Sequence, residues 1–191
     1  LTRIGDFALR FIGDRSPWTN VYGVARSLLA ASTAATLALT PTAALFHPGP
    51  HHADTAAFCG DPLARAGFIC IAPTPHLEAL RWIAVLVLMI VASGWRPRLT
   101  ALPHWWITTS FAMSSTLVEG GDQIAMALTF FLLPVALTDP RAWHWQAPPP
   151  RIESSGDDAK RIAAHVGYVL VRAQVAIVYF HAAVGKLAVA E

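Results

Sequence analysis

The sequence predicts an all-α, polytopic transmembrane helical bundle of about five spans, with its N-terminus in the cytoplasm. Three observations predict it. Of 191 residues, 54% are hydrophobic and only 14% charged, against about 25% charged in a typical soluble domain, and mean hydropathy is +0.46. The apolar residues gather into stretches long enough for a hydrocarbon layer of about 30 Å. The basic residues fall almost entirely on one side of a five-span arrangement.

Residues 1–20 form the first unit. Ile4, Phe7, Ala8 and Phe11 recur at helical spacing, with Arg3, Asp6, Arg10, Asp14 and Arg15 between them. That pattern suits an amphipathic helix on the cytoplasmic membrane surface, and equally a disordered tail. No short apolar stretch precedes a small-residue cleavage site, as a secretory leader would require. Leu1 stands where a Met would begin a chain, and Glu191 follows directly on an apolar helix. The reading therefore leaves open that this is part of a longer chain.

Residues 21–191 form the membrane domain. The first span covers 21–46; its one charge, Arg26, is expected to snorkel to the near interface, and Pro41 to bend its last turns. A loop rich in Pro, Gly and His follows to residue 75. The second span covers 77–95 and ends at Arg96-Pro97-Arg98. The third covers 99–118 and opens on an interfacial cluster, His104-Trp105-Trp106. The short turn Glu119-Gly120-Gly121-Asp122 makes the third and fourth spans an antiparallel hairpin. The fourth covers 123–138. Residues 139–160, with Pro148-Pro149-Pro150 and Ser154-Ser155-Gly156, read as an exposed connecting loop. The fifth span covers 162–187.

Arg3, Arg10, Arg15, Arg96, Arg98, Arg141, Arg151, Lys160 and Arg161 share one side of this arrangement. The opposite side has Arg65, with Arg81 and Lys186 near the membrane edge. The positive-inside rule makes the first side cytoplasmic and predicts a multi-pass protein of the plasma membrane. The formal net charge is only +2, and no basic run carries interleaved aromatics; the pattern excludes nucleic acid as a partner and makes the lipid bilayer the first one.

Candidate chemistry lies on the outer side. Cys59 and Cys70 sit in an oxidising compartment at a spacing that suits a small disulfide ring, or else remain two thiols. His47, His51, His52 and Asp54 share that loop without metal-ligand spacing, so no metal is predicted. Glu119 and Asp122 stand at the rim, followed by Gln123; Asp122 is suited to act as a helix cap or as a polar partner. In the fifth span, Arg172, Tyr179 and Lys186 share one helical face, with Gln174 and His181 beside it. A mid-span charge such as Arg172 is expected to face the bundle interior and find a partner, and Arg81 is a similar case. A lysine at a dry site loses basicity and can act as a base. The alternative for all of these is ion pairing that only fixes helix packing.

The stretches Ser16-Pro17-Trp18-Thr19-Asn20-Val21-Tyr22-Gly23-Val24-Ala25-Arg26-Ser27-Leu28, Arg81-Trp82 through Ser93-Gly94-Trp95-Arg96-Pro97-Arg98, His104-Trp105-Trp106, Gly120-Gly121-Asp122-Gln123 and Leu133-Pro134-Val135-Ala136-Leu137-Thr138-Asp139-Pro140 resemble SdpB-type membrane proteins. Tyr179-Phe180-His181-Ala182-Ala183-Val184-Gly185-Lys186-Leu187 resembles the matching helix of the wider HTTM family, which includes vitamin K-dependent gamma-carboxylases. The resemblance implies a role in maturation or export of a secreted antimicrobial peptide, with an SdpA-like protein and the toxin peptide as partners. It also implies an alternative, a carboxylase-like enzyme with Lys186 as general base beside His181 and Tyr179. A non-catalytic binding or immunity protein is the third reading. No cofactor is assigned.

Overall fold

The computed structural model describes residues 16–46, 59, 65–71, 74–115, 120–148, 150 and 154–188. The amphipathic segment expected before residue 16, the histidines of the 47–58 stretch and Glu119 lie outside these residues. All regular elements among the described residues are helical: α1 (Asn20–Leu39), α2 (Thr42–Leu45), α3 (Leu77–Ser93), α4 (Pro97–Ser114), α5 (Gly120–Phe131), α6 (Leu133–Thr138) and α7 (Ser155–Ala188), with short 3-10 turns at Phe68–Cys70 and Thr74–His76.

Two helical stretches, Gly120–Thr138 and Ser155–Leu187, are long and apolar enough to cross a membrane. α3 has 17 residues, and α1 carries a buried arginine in its second turn. The expected count of five is therefore not reached by helix length and apolarity alone.

The boundaries have local causes. Thr19 caps α1 by accepting from the Tyr22 amide at 3.3 Å. The helix stops at Leu39 because Pro41 follows and forces Thr40 into an extended conformation; the expected bend is a break. α3 ends on Gly94 at φ +89°, the left-handed cap that favours glycine. α7 begins seven residues before the expected 162. Ser154 accepts from the Asp157 amide at 3.2 Å, and Asp157 and Asp158 lie in the first turn, where acidic groups are favoured.

Packing follows helical periodicity. Tyr22, Arg26, Ala30, Thr33 and Leu37 line the buried face of α1; Leu77, Leu80, Ala84, Leu88 and Val91 line that of α3. These two faces form the most extensive helix pair, and Ala30, Ala34 and Ala84, all essentially inaccessible, let the backbones approach closely. Phe46, Phe68, Ile69 and Phe111 extend the same core toward the far end. There Cys59 and Cys70 form a disulfide with Cα atoms 5.7 Å apart, and the Ile69 amide donates to Ser110 Oγ at 3.1 Å.

α7 joins the bundle only along its first half. Arg161, Ala164 and Gly167 are buried there. A Cβ added at Gly167 would lie 2.7 Å from the Phe131 carbonyl, at the break between α5 and α6, so only glycine permits this approach. Outward-facing apolar residues form a broad belt, including Trp82, Ile83, Leu86 and Met89 of α3 and Val169, Ile177, Phe180 and Leu187 of α7. Large apolar side chains exposed side by side in this way are unusual on a water-soluble monomer.

Candidate functional site

The polar groups of the bundle converge at the end opposite the disulfide. Residues 139–146 fold back under the helices and bury Asp139, Arg141 and His144, while Pro140, Ala142, Trp143, Trp145 and Gln146 stay exposed as the sequence suggests for the loop. The Arg96 amide donates to the Ala142 carbonyl at 2.7 Å and the His144 amide to the Gly94 carbonyl at 3.0 Å, tying the segment to the α3–α4 turn. Trp145 Nε1 donates to the Ser93 carbonyl at 2.8 Å. Asp139 and Arg141, both buried, form an ion pair at 2.8 Å; Asp139 also accepts from the Arg141 amide at 3.0 Å. These bonds satisfy the Asp139 and Arg141 side chains and tie down the backbone of the turn, which lets their charges enter the interior.

His144 is inaccessible to solvent and wedged between two glycines. A Cβ at Gly23 would stand 3.0 Å from its ring, and one at Gly94 2.5 Å. The tautomer follows from its partners. Ser27 Oγ has one proton and gives it to the Ala92 carbonyl at 2.6 Å. His144 Nε2, 3.3 Å from the same Oγ, must then be the donor. Nδ1 is left as a bare acceptor, and it has no hydrogen-bond partner among the described residues. Burial, with the nearby Arg26 and Arg141 charges, lowers the His144 pKa from 6.5 to about 4; Asp139 opposes the shift.

Above this plug lies Arg26, 1% exposed. Its NH2 donates to Thr100 Oγ1 at 2.6 Å, and NH1 makes a long contact of 3.5 Å with the Val91 carbonyl. It forms no ion pair among the described residues. Tyr22 sits one turn before it, with its ring edge-on to His144 at 6.3 Å. His104 sits one turn after Thr100 on α4 and is buried, not interfacial. The Tyr22 hydroxyl and His104 Nε2 are buried and lack partners among the described residues.

The sequence-selected residues are distributed differently. Arg172, Tyr179, His181 and Lys186 are all exposed along the outer half of α7, and Gln174 is half-buried. A Cβ at Gly185 would meet nothing within 4 Å. The expected inward orientation of Arg172 is corrected by its register. The bundle face of α7 runs through Arg161, Ala164, Tyr168, Val171 and Gln174, and Arg172 lies one residue off it. Asp122 is half-buried and engaged in an interaction, and Gln123 is exposed. Arg81 is buried and has a structural task. It pairs with Glu78 and donates to the carbonyls of Leu37, Ala38 and Thr40, the free C-terminal acceptors of α1. Glu78 also accepts from Thr42 Oγ1 and from Trp82 Nε1.

Tyr22, Arg26, Thr100, His104, Asp139, Arg141 and His144 are thus the polar centre, and sequence reading did not select them. The Tyr22–Arg26 and Thr100–His104 spacings of four, each within an apolar helix, were the available signals. Nothing local marked Asp139, Arg141 and His144 as buried.

No protein-family model matches the chain, and no solved structure matches it. It is 39% identical over 178 residues to YitO, an uncharacterized protein of Bacillus subtilis (strain 168), covering 91% of this chain and 55% of that protein. It is 34% identical over 179 residues to the sporulation-delaying protein SdpB of the same strain, covering 93% of this chain and 53% of that protein. The chain spans about half the length of these curated relatives.

Proposed function

We propose that this chain is an SdpB-type, multi-pass protein of the plasma membrane that assists maturation or export of a secreted antimicrobial peptide in a sporulation-delaying-protein-like system, alongside an SdpA-like partner. The similarity to SdpB along 93% of the chain carries this reading. Deleting the gene tests it: killing of sensitive cells by the secreted peptide should be abolished while toxin transcript persists. Unchanged killing would refute it.

The membrane arrangement in this proposal has five spans with the N-terminus inside. The exposed apolar belt on α3 and α7 supports it, as does the grouping of Arg96, Arg98, Arg141 and Arg161 at one end of the bundle. Single cysteines placed at Gly121 and Ala188 should both react with an impermeant reagent on intact cells. Reaction of only one would break the five-span count.

Kinship with the HTTM group and the carboxylases is a further part of the proposal, resting on the Tyr179–Leu187 stretch. A general-base role for Lys186, beside His181 and Tyr179, needs a second surface over the last turns of α7.

A further inference from the structure

We infer that Arg26 is the fixed counter-charge of a binding site, between α1 and α4, for one singly charged oxyanion: a carboxylate or a phosphodiester. The inference stands on the geometry of the polar centre and is independent of the proposed toxin system.

The first argument is charge. Arginine stays protonated in proteins, so burying it brings a full positive charge into the interior. Removing such a charge from water is costly unless an opposite charge accompanies it. The other two buried arginines of this end follow that rule: Arg141 is paired with Asp139 at 2.8 Å and Arg161 with Asp157 at 2.7 Å. Arg26 is buried as deeply and, among the described residues, has only neutral oxygens, Thr100 Oγ1 and the Val91 carbonyl. Asp139 is not its substitute, because both carboxylate oxygens are committed to the Arg141 guanidinium, at 2.9 and 2.8 Å. The centre therefore carries one uncompensated positive charge, which sets the charge of the ligand at minus one.

The second argument is the set of unsatisfied groups around it. Tyr22 precedes Arg26 by one turn on the same face of α1, and its hydroxyl is buried without a partner among the described residues. His104 follows Thr100 by one turn on α4, and its Nε2 is likewise buried without a partner among them. Tyr22 shares the buried face of α1 with Arg26, and His104 shares that of α4 with Thr100, which holds the guanidinium. Buried polar atoms are ordinarily paired, so orphans on two helices beside one unpaired cation mark a missing hydrogen-bonding group. An oxyanion supplies it: two oxygens suit the planar guanidinium fork, and the phenol donates to either. By the chain's own helix geometry Arg26 lies about 9 Å along α1 from Asn20. That depth is within reach of a lipid phosphodiester and of the carboxylate of an inserted chain.

The test uses the full chain purified in dodecyl maltoside, with Tm followed by tryptophan fluorescence. Three probes are compared with sodium chloride at equal ionic strength: acetate for a carboxylate, dimethyl phosphate for a free phosphodiester, and phosphatidylglycerol for a lipid one. At least one should raise Tm by about 5 °C at a hundredfold excess over its Kd, and the responding probe identifies the source. Arg26→Met should abolish the response, and Tyr22→Phe should weaken affinity about tenfold. No response beyond chloride from any probe, or an unaltered response in Arg26→Met, overturns the site. Where Arg26→Met does not accumulate as folded protein, Tyr22→Phe decides, and unchanged affinity there overturns it.

Discussion

Arg26 and Arg172 look alike in the sequence: each is an arginine flanked by apolar residues inside a helix. The fold treats them oppositely. Arg26 lies on the shared face of α1, α3 and α4 at 1% exposure, held by Thr100, while Arg172, Tyr179, His181 and Lys186 project from the half of α7 that no other described element covers. The contrast teaches that helical spacing identifies which residues share a face. It does not say what covers that face. Position relative to the bundle core decides whether a polar residue is desolvated, and desolvation decides whether it can do unusual chemistry.

The largest expected effect is at the buried end. Asp139→Asn leaves Arg141 as an unpaired buried charge and should cost about 3–5 kcal/mol, lowering Tm in detergent by about 10 °C. Replacing both partners, with Asp139→Leu and Arg141→Met, should recover most of it. If the single change is silent, the 139–146 segment is not part of the folded interior.

Next comes the histidine wedge. Gly94→Ala places a methyl against the His144 ring at a left-handed backbone position and should cost about 2 kcal/mol by thermal melts. Adding His144→Ala should restore part of that, because the collision with the imidazole vanishes while the 2.9 Å approach to Trp145 Nε1 and the backbone strain stay.

His144 also gives a pH signature. Its pKa is about 4 folded and near 6.5 unfolded, so the unfolded chain binds the extra proton in between. Its contribution is complete above pH 6.5 and lost as pH falls toward 4. Tm should decline across that window, and His144→Asn should flatten the decline.

The smallest effects belong to the exposed half of α7. Arg172→Met, Tyr179→Phe and Lys186→Met should each change stability by less than about 0.5 kcal/mol. A larger loss in any of them would mean that the outer half of α7 is covered after all.

How much of this was legible in the sequence can be traced residue by residue. The helices follow from apolar runs and from punctuation at Thr19, Pro41 and Gly94, whose effects are local. The break between α5 and α6 and the early start of α7 were missed because they turn on Pro134 and Ser154, residues a hydropathy window averages away. His144 was passed over as a loop histidine, because its burial depends on Gly23 and Gly94, which are 121 and 50 positions away. Arg26 was expected to reach the interface, and its capture by Thr100, 74 residues on, is a tertiary event. Arg81 was placed correctly inside the bundle, but its partners are the α1 carbonyls and Glu78.

The central claim is that the working centre of this chain is the buried Arg26 cluster and not the polar face of α7. Complementing a deletion strain with Arg26→Met and with Lys186→Met, at matched membrane levels, tests it most directly. Secreted killing activity should fall at least about tenfold with Arg26→Met and remain near wild type with Lys186→Met; retained killing with Arg26→Met and loss with Lys186→Met would contradict the account.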